Sequence, residues 1–449
     1  MSFIKNILLN LPEVKSPTEK KLSFSTKLKW TLTILVFYFI LTLIPIYGLG
    51  ESALQRFEFL AIILGTSFGS IISLGIGPIV TASIVLQLLV GSKLLNLDLH
   101  TAEGKRYFQG LQKILAILFT IFEAAVFVLL GGLSPAAGFA PSTLIFQLFL
   151  GGILIIFMDE VVSKYGFGSG ISLFIVAGVA SQLFITLLSP FSIAGVEGRA
   201  GRIWVLFSSL SQGDLMSAVL IIITIVATAL IFFAVVYAQG IKAEIPLSFG
   251  RFRGFGIRWP LSFFYTSNIP VILTAALLAN IQLLATLSKN ATFISIGNWV
   301  NPPAIQQVSG GLIEHIFRGS LTSIDILQSL TYVIFMVGFS ILFAVFWVKT
   351  AGMDARSQAQ NIMSSGLQIP GFRQDPRVVE SILNRYIMPL TIMGAATVGL
   401  LAAVADLMGA LVRGTGILLA VMIIYRLYEE IAHQHALDMH PALKKMVQK

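Results

Sequence analysis

The sequence predicts an all-α membrane protein with ten transmembrane helices, and two features of its composition carry this prediction. Of the 449 residues, 56% are hydrophobic and only 11% are charged, whereas a soluble protein has about 25% charged residues. Apolar runs close to the ~20 residues that cross the hydrocarbon core as a helix recur along the chain. The chain contains no cysteine, which excludes disulfides, thiol chemistry and cysteine metal sites.

The first 29 residues form a basic segment with six lysines. Its apolar stretch at 7–11 is too short for the core of a signal peptide, and no small-residue cleavage site follows. We therefore expect residues 1–29 to be a retained amphipathic helix that lies on the cytoplasmic surface of the membrane.

Ten apolar runs define the predicted spans, and the even number places both termini on one side. Lys and Arg divide as 24 on that side and six on the other, so the positive-inside rule places both termini in the cytoplasm. The spans are 30–46, 76–91, 111–132, 143–158, 169–189, 216–238, 261–285, 327–348, 386–406 and 411–428.

Two loops on the basic side, 240–260 and 350–385, are long and rich in arginine. Closely spaced Gly and Pro in the first loop predict an ordered hairpin. Two interpretations of the arginines stay open. They set topology and contact anionic lipid, or they dock a large polyanion such as a ribosome.

The apolar segment 57–73 precedes the second span and is followed by Gly75, Gly77 and Pro78. Gly and Pro favour a helix break, and broken backbone at membrane depth needs a protein or water-filled cavity around it. We expect a half-helix folded back into a cavity and a full helix that starts near Ile76. One long kinked helix is the alternative, and a broken span also fits the binding site of a transporter.

Motifs for chemistry are weak in this chain. Residues 65–69 match the G-x-S-x-G pattern of serine hydrolases, but a base is needed nearby and all five histidines lie outside the spans. Glu123 is the clearest acid within a span, which makes it a functional candidate. Asp159, Glu160 and Asp406 sit near helix ends. We expect no catalytic residue, no cofactor and no metal.

Four long runs resemble the SecY family in its archaeal and eukaryotic-type branch, and the opening LPEVKSP at 11–17 is similar to that branch as well. The runs are LGIGPIVTASIVLQLLVGS (74–92), DEVVSKYGFGSGISLFIVAGV (159–179), YTSNIPVILTAALLANIQL (265–283) and GTGILLAVMIIYRLYEE (414–430). The resemblance implies two halves of five helices with inverted pseudo-symmetry, 30–189 and 216–428, joined by an external hinge loop at 190–215 and followed by a cytoplasmic tail at 429–449.

The resemblance also implies site residues. An aliphatic ring would close the pore, a plug at about 54–74 would lie on the outer side, and polar residues would line a lateral gate between spans 2–3 and 7–8. The family often has an arginine in the plug where this chain has Phe68. The implied residues are Ile76, Val80, Ile171, Ile175, Ile272 and Leu419 in the ring; Phe57, Leu60, Ile63, Gly65, Ser67, Phe68 and Gly69 in the plug; and Thr81, Gln87, Glu123 and Asn268 in the gate.

The implied function is passage of nascent or unfolded polypeptides across the cell membrane and lateral release of apolar helices into lipid. Arg251, Arg253 and Arg373 match the family's basic loop residues and are the expected ribosome contacts. The implied partners are two small Sec membrane subunits (one of the SecE/gamma type, one of the beta type), the ribosome, the signal-recognition particle receptor system, signal-sequence-bearing polypeptides and membrane lipids. A secondary transporter for a small solute is the main alternative; an intramembrane hydrolase and a structural scaffold are weaker ones.

Overall fold

The computed structural model describes most of the chain. The described residues are 12–18, 22–50, 69–91, 94–95, 97, 101–190, 201–249, 256–266, 269–287, 291–303, 311–365, 367–368 and 375–439.

Helices dominate the described residues, and three short strands complete the fold. In chain order the elements are α1 Phe24–Leu43, α2 Gly77–Gly91, α3 Ala102–Leu129, α4 Pro141–Tyr165, α5 Gly170–Leu188, α6 Arg202–Gln212, α7 Leu215–Gly240, β1 Lys242–Phe249, β2 Gly256–Ser262, α8 Ile269–Leu287, α9 Ala291–Val300, α10 Gly311–Phe317, α11 Ser323–Thr350, α12 Ala355–Ser364, β3 Leu367–Gln368, α13 Pro376–Leu407 and α14 Gly414–Met439.

Each of the ten predicted spans falls on one of these helices. Among the described residues, seven helices are long and apolar enough to cross a membrane: α1, α3, α4, α5, α7, α11 and α13. Two shorter apolar helices correspond to α2 and to residues 269–282 of α8. The chain is therefore a multi-pass membrane protein with an all-α membrane region.

The start of the seventh predicted span is wrong. Residues 261–262 belong to β2, where Leu261 pairs with Ala243 of β1, and α8 begins only at Ile269. An apolar run alone does not distinguish a buried strand from a helix. Leu261 is buried in a cluster with other hairpin residues, so its hydrophobicity serves the hairpin and not the membrane.

Several helices extend well beyond the predicted spans at the end where the loops are basic, and capping side chains account for two of these extensions. Helix α3 starts at Ala102, with Thr101 Oγ1 accepting from the Gly104 amide at 3.1 Å. Helix α13 starts at Pro376, with Asp375 Oδ1 accepting from the Arg377 amide at 2.9 Å. Side-chain caps and a proline in the first turn are strong helix starts, and they lie outside the apolar run that was used to place the spans.

The predicted hairpin is confirmed as a pair of antiparallel strands, β1 and β2, and β3 adds to the other edge of β1. Ile245, Leu247 and Leu261 pack with Val348 of α11 and Leu383 of α13. The sheet therefore sits on the ends of two long helices. We call this end of the bundle the hairpin end.

The N-terminal strap, residues 12–18, is not helical, so the expectation of an amphipathic helix over 1–29 is wrong there. Pro12 and Pro17 remove amide donors and disfavour helix in the residues before them. The strap contacts the last turns of α4, where Glu160 Oε2 accepts from the Val14 amide at 2.9 Å. Lys113 forms an ion pair with Glu160 and donates to the Pro12 carbonyl at 2.5 Å.

Replacing Glu160 with glutamine is expected to loosen the strap. Glutamine still accepts from the Val14 amide but cannot pair with the Lys113 ammonium. Hydrogen bonds to charged groups contribute ~1.5–3 kcal/mol, so we expect hydrogen exchange at Val14 to accelerate about tenfold or more. The matched control is Glu13→Gln, since Glu13 is 67% exposed and lies 3.5 Å from Lys164; such surface pairs contribute ~0–1 kcal/mol. Equal exchange at Val14 in both variants would contradict the role of Glu160.

The expected break before the second full helix is present in the described residues. Residues 69–76 form turns, with Gly69 at φ +88° and Gly75 at φ +53°. These left-handed conformations favour glycine. Helix α2 starts at Gly77, one residue after the expected position, and the alternative of one long kinked helix is wrong for this stretch.

The segment 190–215 is not wholly a loop. It contains α6, which is tied to the end of α5 because the Gly201 amide donates to the Ser189 carbonyl at 2.9 Å. The Trp204 indole also donates to the Leu188 carbonyl at 2.9 Å. The described part of the predicted hinge is therefore a short helix fixed to α5.

Candidate functional site

A cavity of about 140 Å³ lies at the centre of the bundle. Its walls come from α1, α2, α3 and α5 on one side and from α8 and the start of α14 on the other. We call it the central cavity. Its lining residues are Tyr38, Leu74, Ile76, Gly77, Val80, Thr81, Glu123, Phe127, Phe174, Ile175, Val179, Gln182, Ile272, Ala275, Ala276, Ala279, Asn280, Val412, Arg413, Thr415, Gly416 and Leu419.

Five of the six expected ring residues line the central cavity, although they come from four different helices or helix starts. They are Ile76, Val80, Ile175, Ile272 and Leu419. The sixth, Ile171, does not line it but packs with Val80 in one apolar cluster. The six residues are thus neighbours in space.

Helix geometry explains why the start of α2 and the start of α5 each place two of the expected ring residues on one helix face. The Val80 amide donates to the Ile76 carbonyl at 3.1 Å, the i to i+4 bond that brings the two side chains onto one face. Ile171 and Ile175 have the same spacing within α5. Aliphatic side chains give a hydrated ion no partner, so such a constriction can block ions by excluding water.

A polar cluster joins three helices beside this aliphatic group. Thr81 of α2 donates to Glu123 Oε1 of α3 at 3.0 Å. The side-chain amide of Asn280 on α8 donates to Thr81 Oγ1 at 3.0 Å. Glu123 is buried, and all three residues line the central cavity. The polar cluster Thr81–Glu123–Asn280 therefore bridges α2 and α3 on one side and α8 on the other.

Asn280 was missed by the sequence analysis, which chose Asn268. Asn268 lies outside the described residues. Asn280 stands in an otherwise apolar stretch of α8, and a polar residue inside a span is itself a signal for an interhelical hydrogen bond. The remaining gate candidate, Gln87, is buried, but its Oε1 accepts no hydrogen bond from any described residue, so it does not join the polar cluster.

Thr81→Val and Asn280→Leu are each expected to make the gate open more readily. Either change removes the Asn280–Thr81 bond, which exists only while α2 and α8 are close. Such bonds in membranes contribute ~0.6 kcal/mol on average, so open channels should increase roughly threefold. Export of precursors with weakened signal sequences measures this shift, and the double variant should add little to Thr81→Val alone.

Thr397→Val is the matched control for the gate prediction. Thr397 Oγ1 donates to the Met393 carbonyl of its own helix at 2.8 Å, so the same substitution removes a hydrogen bond that joins no two helices. Unchanged signal-sequence stringency in Thr81→Val and Asn280→Leu would refute the gating role of the polar cluster.

The expected plug and docking residues lie largely outside the described residues. This holds for Phe57, Leu60, Ile63, Gly65, Ser67, Phe68, Arg251, Arg253 and Arg373; of these two sets only Gly69 is described. Chain segments that flank the docking arginines are described, however. Ser248 and Phe249 of β1 pair with Gln368 and Leu367 of β3. The two basic loops, far apart in sequence, therefore start from one sheet.

Charged groups elsewhere in the central cavity are few. Arg413 lines it and donates to Gln282 Oε1 at 3.4 Å. In the part of the chain that the structure describes, no group of three or more His, Asp or Glu side chains could hold a metal ion.

A broken segment before α2, a bundle of apolar helices and a central cavity lined by aliphatic side chains are the features of a polytopic membrane channel. A protein-family model described as SecY matches residues 70–428. The protein translocase subunit SecY of Methanothermobacter thermautotrophicus is 47% identical over 442 residues, which cover 97% of this chain and 96% of that one. The chain belongs to the SecY family.

Solved structures agree with this assignment. A chain from the structure of a protein-conducting channel is 39% identical, with a TM-score of 0.80 and coverage of 97% of this chain and 98% of that one. Sec61 in a canine ribosome–channel complex from the endoplasmic reticulum is 39% identical, with a TM-score of 0.77 and the same coverage. The chain is thus a subunit of a protein translocase, a channel and not an enzyme.

Proposed function

We propose that polypeptides pass through this subunit between the half 30–189 and the half 216–428, across a seal formed by Ile76, Val80, Ile171, Ile175, Ile272 and Leu419. The observation that carries the proposal is that five of these side chains, drawn from both halves, meet at one central cavity, while Ile171 packs in a cluster with Val80. Aliphatic side chains can part around any peptide without selecting its sequence, and they close against ions when the peptide has left.

Lateral release uses a seam between α2 and α3 on one side and α8 and α11 on the other. The hydrogen bond that crosses the seam from Asn280 to Thr81 supports this. Bonds of this kind are weak in membranes. The packing contacts of an apolar signal helix that inserts between α2 and α8 can therefore compensate for the lost hydrogen bond.

Asp159 and Asp406 argue against the alternative of a proton-coupled transporter. Such a transporter needs a relay of acids through the membrane. The two carboxylates accept backbone amides at separate helix starts, from Ile171 at 2.9 Å and from Gly414 at 2.6 Å. They do not form a series with Glu123, whose hydrogen bond comes from Thr81.

The energy and the setting come from partners. The sequence has no Walker-type phosphate loop, so a partner must supply the energy for translocation. That partner is a ribosome, which docks on Arg251, Arg253 and Arg373 and drives the movement of the polypeptide. Two small Sec membrane subunits and the signal-recognition particle receptor system complete the assembly in the cell membrane. The hairpin end and both termini face the cytoplasm, because 24 of the 30 Lys and Arg residues lie on that side of the membrane.

Reconstitution tests the proposal. Vesicles that contain the channel complex receive ribosomes translating a secretory precursor, and polypeptide protected from external protease is measured. We expect protection that depends on the signal sequence, with a precursor lacking it as the control. Saturable uptake of a small solute without polypeptide protection would favour a transporter and overturn the proposal.

A further inference from the structure

Asp159 and Asp406 are acidic residues near the ends of α4 and α13, in spans that otherwise hold few charges. Both are partly buried, and neither lines the central cavity. Each is followed, after a short connection, by a helix that carries an expected ring residue: α5 after Asp159 and α14 after Asp406.

Asp159 completes the capping of α5. The first four amides of a helix have no partner within it. Asp159 Oδ1 accepts from the Ile171 amide at 2.9 Å, Ser169 Oγ accepts from the Ser172 amide at 3.2 Å, and the Leu173 amide donates to the Ser169 carbonyl at 3.1 Å. A Cβ on Gly170 would stand 2.5 Å from Asp159 Cα, so only glycine allows this close approach to α4.

Asp406 has the same relation to α14. Its Oδ1 accepts from the Gly414 amide at 2.6 Å, and its Oδ2 accepts from the Tyr332 hydroxyl on α11. The Ile417 amide donates to the Arg413 carbonyl at 3.0 Å, as Leu173 does to Ser169. A Cβ on Gly414 would stand 2.5 Å from the Ala405 Cβ, so α14 also approaches the preceding helix through a glycine.

The two anchored helices place their ring residues at similar distances from the anchored amide. Ile175 lies four residues after Ile171 in α5, and Leu419 lies five residues after Gly414 in α14. At ~1.5 Å rise per residue, these separations are ~6 Å and ~7.5 Å along the helix axis.

The two anchors lie at opposite ends of the bundle. Lys242 of β1 pairs with Glu429 near the far end of α14 at 3.3 Å, so Gly414 lies away from the hairpin end. Gln434 of α14 donates to the Leu22 carbonyl, just before α1, at 3.1 Å. Thr31 of α1 accepts from the Phe167 amide at 3.0 Å, which places the start of α5 at the hairpin end.

We propose that Asp159 and Asp406 are a matched pair of positioning residues that fix the depth at which Ile175 and Leu419 meet. One holds α5 from the hairpin end and the other holds α14 from the opposite end. The inference rests on the ring proposed above and extends it, because it assigns the depth of Ile175 and Leu419 to two carboxylates that do not line the central cavity.

Ion leak through reconstituted channels tests the pair. Asp159→Ala and Asp406→Ala are expected to raise the resting leak roughly fivefold or more, since a lost cap frees the start of the helix. Asp159→Asn and Asp406→Asn keep an oxygen that accepts from the amide and should stay sealed. Asp375→Ala is the matched control, because Asp375 caps α13 through the Arg377 amide and α13 carries no ring residue.

A thiol assay separates positioning from a general loss of stability. The chain has no cysteine, so I175C or L419C introduces a unique thiol. Asp159→Ala should accelerate modification of I175C by a charged thiol reagent several-fold and leave L419C unchanged, and Asp406→Ala should do the reverse. Because alanine can lower the yield of folded protein, the same assay is run on Asp159→Glu and Asp406→Glu, which keep the charge but shift the acceptor.

Each outcome decides the inference. If Ile175→Gly leaks while Asp159→Ala and Asp406→Ala stay sealed, the proposed ring is supported and the proposed anchors are overturned. Equal leak in Asp375→Ala and Asp406→Ala, or equal acceleration at both thiols, overturns them as well. The anchors are also overturned if Asp159→Glu and Asp406→Glu leave the modification rates of I175C and L419C unchanged. A sealed Ile175→Gly channel removes the ring itself, and the anchors with it.

Discussion

Replacing Ile175 and Leu419 together with glycine is expected to make the resting channel leak ions. The two side chains come from α5 and α14 and line the same cavity, and glycine leaves a gap that water can fill. An apolar constriction blocks ions only while it is dry. Lowering the barrier by ~1.4 kcal/mol raises a rate tenfold, so we expect conductance across a planar bilayer to rise at least about tenfold.

The matched controls lie on the same helices and face away from the cavity. Ile185 of α5 and Ile424 of α14 are exposed on the outside of the bundle, so Ile185→Gly and Ile424→Gly carry the same backbone cost of glycine without opening the cavity. Conductance in the ring variant no higher than in this control pair would show that the six residues do not form the seal.

Reversing the charge of Arg251, Arg253 and Arg373 to glutamate is expected to abolish most ribosome binding at physiological salt. The pairing of β1 with β3 brings the bases of the two loops together, which supports the proposal that one ribosome contacts both loops. Each lost phosphate contact lowers the slope of log affinity against log salt by roughly 0.7–0.9. Cosedimentation over a salt series should therefore show a slope smaller by about two to three units.

Arg318→Glu is the control for the docking prediction. Arg318 is 53% exposed. It precedes α11, and the far end of α11 packs against the hairpin, so Arg318 lies at the end of the bundle opposite the hairpin. Binding by the triple variant equal to that of Arg318→Glu would remove the loop arginines from the ribosome contact.

Much of the fold could be predicted because lipid imposes a simple pattern. Apolar runs marked the helices, and Gly75, Gly77 and Pro78 marked the break before α2. The errors fell where polar contacts decide the structure. Leu261 was assigned to a span although it packs in the hairpin, and residues 12–18 form a strap because Glu160 and Lys113 hold their backbone. Contacts between residues 101 and 146 positions apart leave no local pattern.

The candidate site could be predicted only in part. That Ile76 and Val80 share one helix face follows from their spacing, whereas their place in the ring came from the resemblance. The partner of Thr81 does not, because Asn280 and Thr81 are 199 residues apart and meet only through the packing of α2 on α8. The roles of Asp159 and Asp406 were equally hidden, since an acid near a helix end gives no sign of which helix start it caps.

Crosslinking of a stalled polypeptide tests most directly whether the central cavity is the translocation path. The translocating chain carries one cysteine, and the cysteine-free channel carries one at position 175 or 419, or at the outward positions 185 or 424. We predict disulfides to positions 175 and 419 and none to 185 or 424. Disulfides to the outward positions, with positions 175 and 419 unreacted, would place the path outside the cavity and contradict the account.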